Sequence, residues 1–185
     1  MLVKTYGSAV NGINATIITI EVDVTRGIKF MIVGLPDNAV RESQQRIESA
    51  LRLNGYKWPG YKIIVNMAPA DIRKEGSAYD LPLAAAILAA SKQIKGEALN
   101  RYVLMGELSL DGTLQPIKGV LPIAIKTRKE NFEGLILPLQ NAGEAAVVDK
   151  LKVFGAGNIS EVIRFLNGED NLKRAVVDTR TEFYT

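Results

Sequence analysis

The longest uninterrupted apolar run, Leu81 to Ala90 (LPLAAAILAA), sets the first constraint on the fold. A membrane helix needs roughly 18 apolar residues. This run is too short to cross a bilayer and reads by its length as a core helix, expected over Asp80 to Ser91. With 185 residues, 47% of them hydrophobic, the chain can bury such a helix within one domain carrying a short appendage. The first residues, MLVKTYGSAVNG, lack the positive-then-apolar pattern of a signal peptide. A soluble cytoplasmic protein with no membrane partner is expected.

Two zero counts narrow the chemistry. The chain has no His and no Cys. That removes an imidazole base, a Ser-His-Asp triad, His- or Cys-ligated metal and thiol nucleophiles. Paired carboxylates, a Ser-Lys dyad or a carboxylate-bound hard cation remain possible. Formal charge is only +3, yet it is unevenly placed: Asp37 to Lys74 holds seven bases against four acids, the whole excess. The bases are Arg41, Arg46, Arg52, Lys57, Lys62, Arg73 and Lys74. They are candidates for tracking a phosphate backbone. The alternative is a solvated helix face neutralised by Glu42–Arg46 and Glu48–Arg52 pairs at i,i+4 spacing. Tyr56, Trp58 and Tyr61 lie beside these bases, able to stack on a nucleobase or to pack under a loop.

Thr16 to Val24 (TIITIEVDV) alternates as a half-buried strand, and Ile28 to Val33 is expected to be its hairpin partner. Gly34-Leu35-Pro36-Asp37 marks a strand end and a helix start, with Asp37 as N-cap. A helix over Asn38 to Leu53 would put Arg41 and Arg52 on one face and stop at Asn54-Gly55. Tyr61 to Met67 reads as a buried strand, followed by a polar loop to Tyr79. Asp111-Gly112 joins Val103–Leu110 and Thr113–Ile117 in the strongest hairpin signal of the chain. Helices over Lys118–Lys129, Ala142–Lys150 and Ile159–Leu166 alternate with short strands at 134–138 and 152–154. Lys126, Arg128 and Lys129 complement the helix dipole at their helix end, and Gly157-Asn158 reads as a turn and cap. The fold class is α/β (α+β), one layered domain over residues 1–168. After Gly168 no helix or strand period is legible, and 169–185 read as a tail or linker.

The junctions between these elements are distinctive. They are Tyr6-Gly7 with Gly12, Val33-Gly34-Leu35-Pro36-Asp37-Asn38-Ala39-Val40-Arg41-Glu42, Asn66-Met67-Ala68-Pro69-Ala70-Asp71, Lys74-Glu75-Gly76-Ser77-Ala78-Tyr79-Asp80-Leu81-Pro82, and Gly106-Glu107-Leu108-Ser109-Leu110-Asp111-Gly112. In this order they resemble the N-terminal domain of the ComM/YifB family of Mg-chelatase-like AAA+ proteins, from residue 1 to about 168. The resemblance implies a ribosomal-S5-domain-2-like fold, shared with the Lon protease domain and the C-terminal domain of RadA. It also implies a following AAA+ module that binds ATP and Mg²⁺, assembles with sister subunits as a hexameric ring and drives branch migration of DNA. No GxxxxGK[ST] occurs here. The expectation is therefore an accessory domain without its motor, itself holding no cofactor or metal, with the ATPase domain, sister subunits and DNA as partners.

The Lon comparison also locates a protease site. Laid on the Lon-type motifs, the nucleophile falls on Ala78 and the dyad lysine on Leu121, neither of which can attack a carbonyl or take a proton. No catalytic residue is expected. The alternative is a Lon-like peptidase with a shifted dyad, Ser77 and Lys118. Against it, Ser77 and Asp80 read as loop and helix-cap residues, and Lys118 as a surface lysine. A plain protein-interaction module is the third reading.

Overall fold

The computed structural model describes residues 1–177. Strand β1 (Leu2–Asn11) turns back at Gly12 into β2 (Asn14–Thr25), and the two pair antiparallel from Leu2 opposite Asp23 to Asn11 opposite Asn14. After β3 (Lys29–Val33) come two short helices, α1 (Asn38–Arg41) and α2 (Ser43–Leu53), and then β4 (Lys62–Ala68). The sheet order is β1-β2-β4-β3. The expected hairpin between β2 and β3 does not form, because β4 lies between them, antiparallel to β2 and parallel to β3. Parallel neighbours need a crossover rather than a tight turn, and α1 with α2 supplies it. Gly34 makes the junction possible. At φ +105°, a methyl in its place would stand 2.1 Å from the Met67 carbonyl oxygen.

The helix expected over Asn38–Leu53 is broken at Glu42, so Arg41 and Arg52 sit on different helices and do not share a single helix face. Asp37 caps α1 as its motif predicts, accepting from Val40 N at 2.8 Å, and Asn54-Gly55 ends α2. The apolar run forms α3 (Asp80–Ala90), buried at every position. It packs beneath β1 and β2, with Thr5 Oγ1 donating to the Pro82 carbonyl at 3.0 Å.

The second half builds another sheet. A 3-10 turn (Leu99–Arg101) leads into β5 (Tyr102–Leu104), and a small hairpin follows, β6 (Glu107–Leu108) with β7 (Leu114–Gln115). The stretch read as one strand over Val103–Leu110 is thus two, in different sheets. Helix α4 (Val120–Lys129), β8 (Gly134–Pro138), α5 (Leu139–Ala145), β9 (Lys152–Ala156) and α6 (Ile159–Leu166) follow. Helix α5 begins three residues earlier than expected, directly after Pro138 at the end of β8, and ends at Ala145 rather than Lys150. Asn158 caps α6, accepting from Ser160 N at 2.8 Å. Past Gly168, β10 (Lys173–Ala175) pairs antiparallel with β9, completing the order β10-β9-β8-β5. A strand therefore lies within the segment read as patternless. Residues 178–185 of that tail lie outside the described residues. Among the described residues no helix is long and apolar enough to cross a membrane.

Candidate functional site

Three of the five distinctive junctions meet at one cleft of about 720 Å³. The 33–42 junction contributes Asp37, the 74–82 junction contributes Glu75 to Tyr79, and the 106–112 junction contributes Glu107. Lys118 and Gly119, ahead of α4, close the far side.

The 74–80 loop, which carries Ser77 and Ala78, is held at both ends. Asp37 does two tasks, capping α1 with Oδ1 while Oδ2 accepts from Gly76 N at 3.0 Å. Lys74 pairs by its backbone with Leu35 and Asp37. Its side chain is fully buried, and its ammonium donates to the carbonyls of Gly34 (2.7 Å) and Pro69. Burial pulls that ammonium below its ordinary pKa, with Asp71 opposing. At the other end Asp80 is buried. Its Oδ2 accepts from Arg46 Nε at 2.7 Å and from Leu108 N at 3.0 Å, while Oδ1 accepts from Arg46 Nη2 at 3.0 Å. Burial pushes the Asp80 carboxyl up to about 6, against the pull of the guanidinium. Asp80 is therefore no helix cap, as the sequence suggested. It lies inside the first turn of α3, where Tyr79 holds the N-cap position.

Ser77 and Lys118, forty-one positions apart, line the same cleft. No hydrogen bond joins their side chains among the described residues. Lys118 is exposed, whereas a lysine acting as base is normally desolvated. Ala78 is half-buried, and its carbonyl accepts from Gly106 N at 2.8 Å. Leu121 points partly to solvent, 37% exposed. Of the two positions matched to the Lon-type motifs, Ala78 lines the cleft, while Leu121, in the first turn of α4, is not among its lining residues.

The predicted phosphate-tracking bases differ in how far they are available to a ligand. Arg41, Arg52, Lys57 and Arg73 are exposed, and Arg73 pairs with Glu75 at 3.2 Å. Lys62 is half-buried at the start of β4. Arg46 is committed to Asp80 and lies 3.9 Å from Glu42, the i,i+4 pair foreseen from sequence. The Glu48–Arg52 pair does not form among the described residues. Lys74 leaves the candidate set, because a buried ammonium satisfied by carbonyls presents nothing to a phosphate. Sequence reasoning missed the Arg46–Asp80 clamp and the burial of Lys74. Neither has a local spacing that announces it. The aromatic cluster resolves toward packing for Trp58, whose ring lies 5.6 Å from Phe30, while Tyr61 stays exposed.

Fold and cleft define a mixed α/β domain whose shared motifs converge on one groove. The family model described as Subunit ChlI of Mg-chelatase matches residues 20–141, and the chain belongs to this Mg-chelatase-like family. Competence protein ComM of Haemophilus influenzae is 41% identical over 171 residues, covering 92% of this chain and 33% of that protein. The uncharacterized protein YifB of Salmonella typhimurium is 40% identical over 164 residues, 88% of this chain and 32% of that protein. Lon protease 2 of Bacillus subtilis is 27% identical over 124 residues, 65% of this chain and 22% of the protease. The chain spans about a third of the length of its ComM and YifB relatives.

Proposed function

We propose that this chain is the non-catalytic N-terminal domain of a ComM/YifB-type AAA+ ATPase, built on the ribosomal-S5-domain-2-like scaffold, and that it serves DNA handling. In the whole protein an ATPase domain would bind ATP and Mg²⁺ and form a hexameric ring with its sister subunits in the cytoplasm. There it would drive branch migration of DNA during uptake and recombination. The observation that carries this reading is the 41% identity to a competence protein along nearly the entire chain. The non-catalytic part rests on the motif resemblance, by which Ala78, on the cleft wall, and Leu121, in the first turn of α4, fall at the two Lon-type dyad positions.

The test titrates this chain against a labelled four-way DNA junction at two salt concentrations. Phosphate contacts make affinity fall steeply with salt, roughly 0.9 logarithmic units per contact for each tenfold rise in salt. Salt-dependent binding supports DNA handling. Absence of binding at low salt overturns it and leaves subunit assembly as the role of the domain, read by sedimentation.

A further inference from the structure

One end of the first sheet gathers cations that no motif marks. Residues 25–29, the turn between β2 and β3, and residues 57–62, the approach to β4, contain Arg26, Lys29, Lys57 and Lys62 and no acid. Sheet pairing sets Lys29 and Lys62 side by side, with Arg26 in the turn before β3 and Lys57 in the approach to β4. Lys62 is the register partner of Thr25 on one side and of Lys29 on the other. Two lysines directly opposite each other repel. No carboxylate relieves them, because none of the four cations forms an ion pair among the described residues. The acids farther along the same face of β2 are engaged elsewhere. Glu21 accepts from the Asn66 amide at 2.9 Å, and Asp23 lies 3.7 Å from the chain's amino terminus.

The surface has a second character. Ile28, at the tip, is 94% exposed, the highest value for any large apolar side chain among the described residues. Tyr61 beside it is 55% exposed. The tip is also shaped. Gly27 sits at φ +127°, and a methyl there would stand 3.2 Å from Lys62 Cβ, so the lysine stem lies against the turn. An uncompensated cationic row behind a projecting apolar side chain is the arrangement by which proteins hold a phosphate backbone and wedge a base step.

We infer that this sheet end is a DNA-contacting surface, in which Arg26, Lys29, Lys57 and Lys62 hold the phosphodiester backbone while Ile28 is placed against the exposed base pair of a strand junction. The inference rests on the DNA-handling reading above and names a contact site for it, distinct from the α1–α2 face and from the motif cleft.

The test compares this chain with three variants by fluorescence anisotropy on a labelled single strand and a labelled four-way junction. Arg26→Glu with Lys29→Glu is expected to weaken binding to both by at least about tenfold and to flatten the salt slope, since each lost phosphate contact removes roughly 0.7–0.9 from it. Arg41→Glu with Arg52→Glu is expected to bind within about twofold of the native chain. Ile28→Ser should keep single-strand affinity and lose the preference for the junction. If charge reversal disturbs folding, read by the thermal midpoint, Arg26→Gln with Lys29→Gln replaces it with the same expected direction. Native DNA binding that survives the tip variants and is lost in the α1–α2 variant overturns the inference while leaving the DNA reading intact. Failure of the native chain to bind either DNA overturns both. Tip-dependent binding to vesicles containing phosphatidylserine, tighter than to DNA, overturns the inference in favour of a membrane surface.

Discussion

Arg46 and Asp80, thirty-four positions apart, meet in a two-pronged ion pair with contacts of 2.7 and 3.0 Å. The pair ties α2 to the first turn of α3, and Asp80 also accepts from Leu108 N, joining both helices to β6. Removing one partner of a pair with this little exposure leaves the other charge uncompensated, which costs about 3 kcal/mol. Arg46→Met is expected to lower unfolding free energy by about that amount at neutral pH. Urea denaturation measures it, and a change below about 1 kcal/mol would show that the clamp is not structural.

Burial of Asp80 sets a pH dependence, which the Arg46 guanidinium opposes. Asp80 has its carboxyl raised to about 6 in the folded chain, above its ordinary value of 3.8. A folded pKa above the unfolded one means that the native state binds the proton more tightly. This group's stabilising contribution is therefore complete below about pH 4 and is lost as pH rises through about 6. The urea midpoint of Asp80→Asn minus that of the native chain should rise with pH across this window. Arg46→Met, with the cation gone, should recover part of its lost stability on acidification. A difference that stays flat from pH 4 to 7 contradicts the assignment.

Local signals in the sequence were reliable where a single side chain does the work. The Asp37 cap, the Asn54-Gly55 stop, the Asp111-Gly112 hairpin and the Asn158 cap all act within about four residues, and all stand in the structure. What failed is non-local. Whether β2 turns onto β3 or admits β4 between them depends on the crossover helices and on the close approach at Gly34, which no pattern inside either strand reports. Lys74 sits in the polar stretch Ile72-Arg73-Lys74-Glu75-Gly76 and reads as solvated, yet the carbonyls that bury it come from Gly34 and Pro69. The motif cleft was legible only as five distinctive junctions in order; that three of them face one groove is a property of the fold.

Lys74 gives an expectation that separates structure from DNA contact. Lys74→Met keeps the aliphatic stem but leaves the Gly34 and Pro69 carbonyls without their donor, a loss of about 2 kcal/mol. Because the ammonium is buried, the salt slope of DNA binding should not change in the folded variant. A slope reduced by close to one unit would place Lys74 against a phosphate after all.

Gly34 should tolerate no side chain. Its positive φ strains any L-residue, and the 2.1 Å approach to the Met67 carbonyl oxygen can be relieved only by moving β4 away from the β3–α1 junction. Gly34→Ala is expected to lose more than about 3 kcal/mol, whereas Gly60→Ala, with nothing within 4 Å, should be nearly neutral. Thermal midpoints of the two variants provide the comparison.

The motif cleft carries the final expectation, on peptidase chemistry. Ser77 and Lys118 share its walls, but their side chains share no hydrogen bond among the described residues, and Lys118 is exposed. An ångström of misplacement already costs a large factor in rate, so a serine one position from Ala78 is badly set for attack. With fluorogenic unfolded casein, the purified chain should show no turnover above buffer, and Ser77→Ala should not alter any residual signal. Turnover abolished by both Ser77→Ala and Lys118→Met, with the fold intact by circular dichroism, would establish a shifted dyad and return the domain to the peptidases.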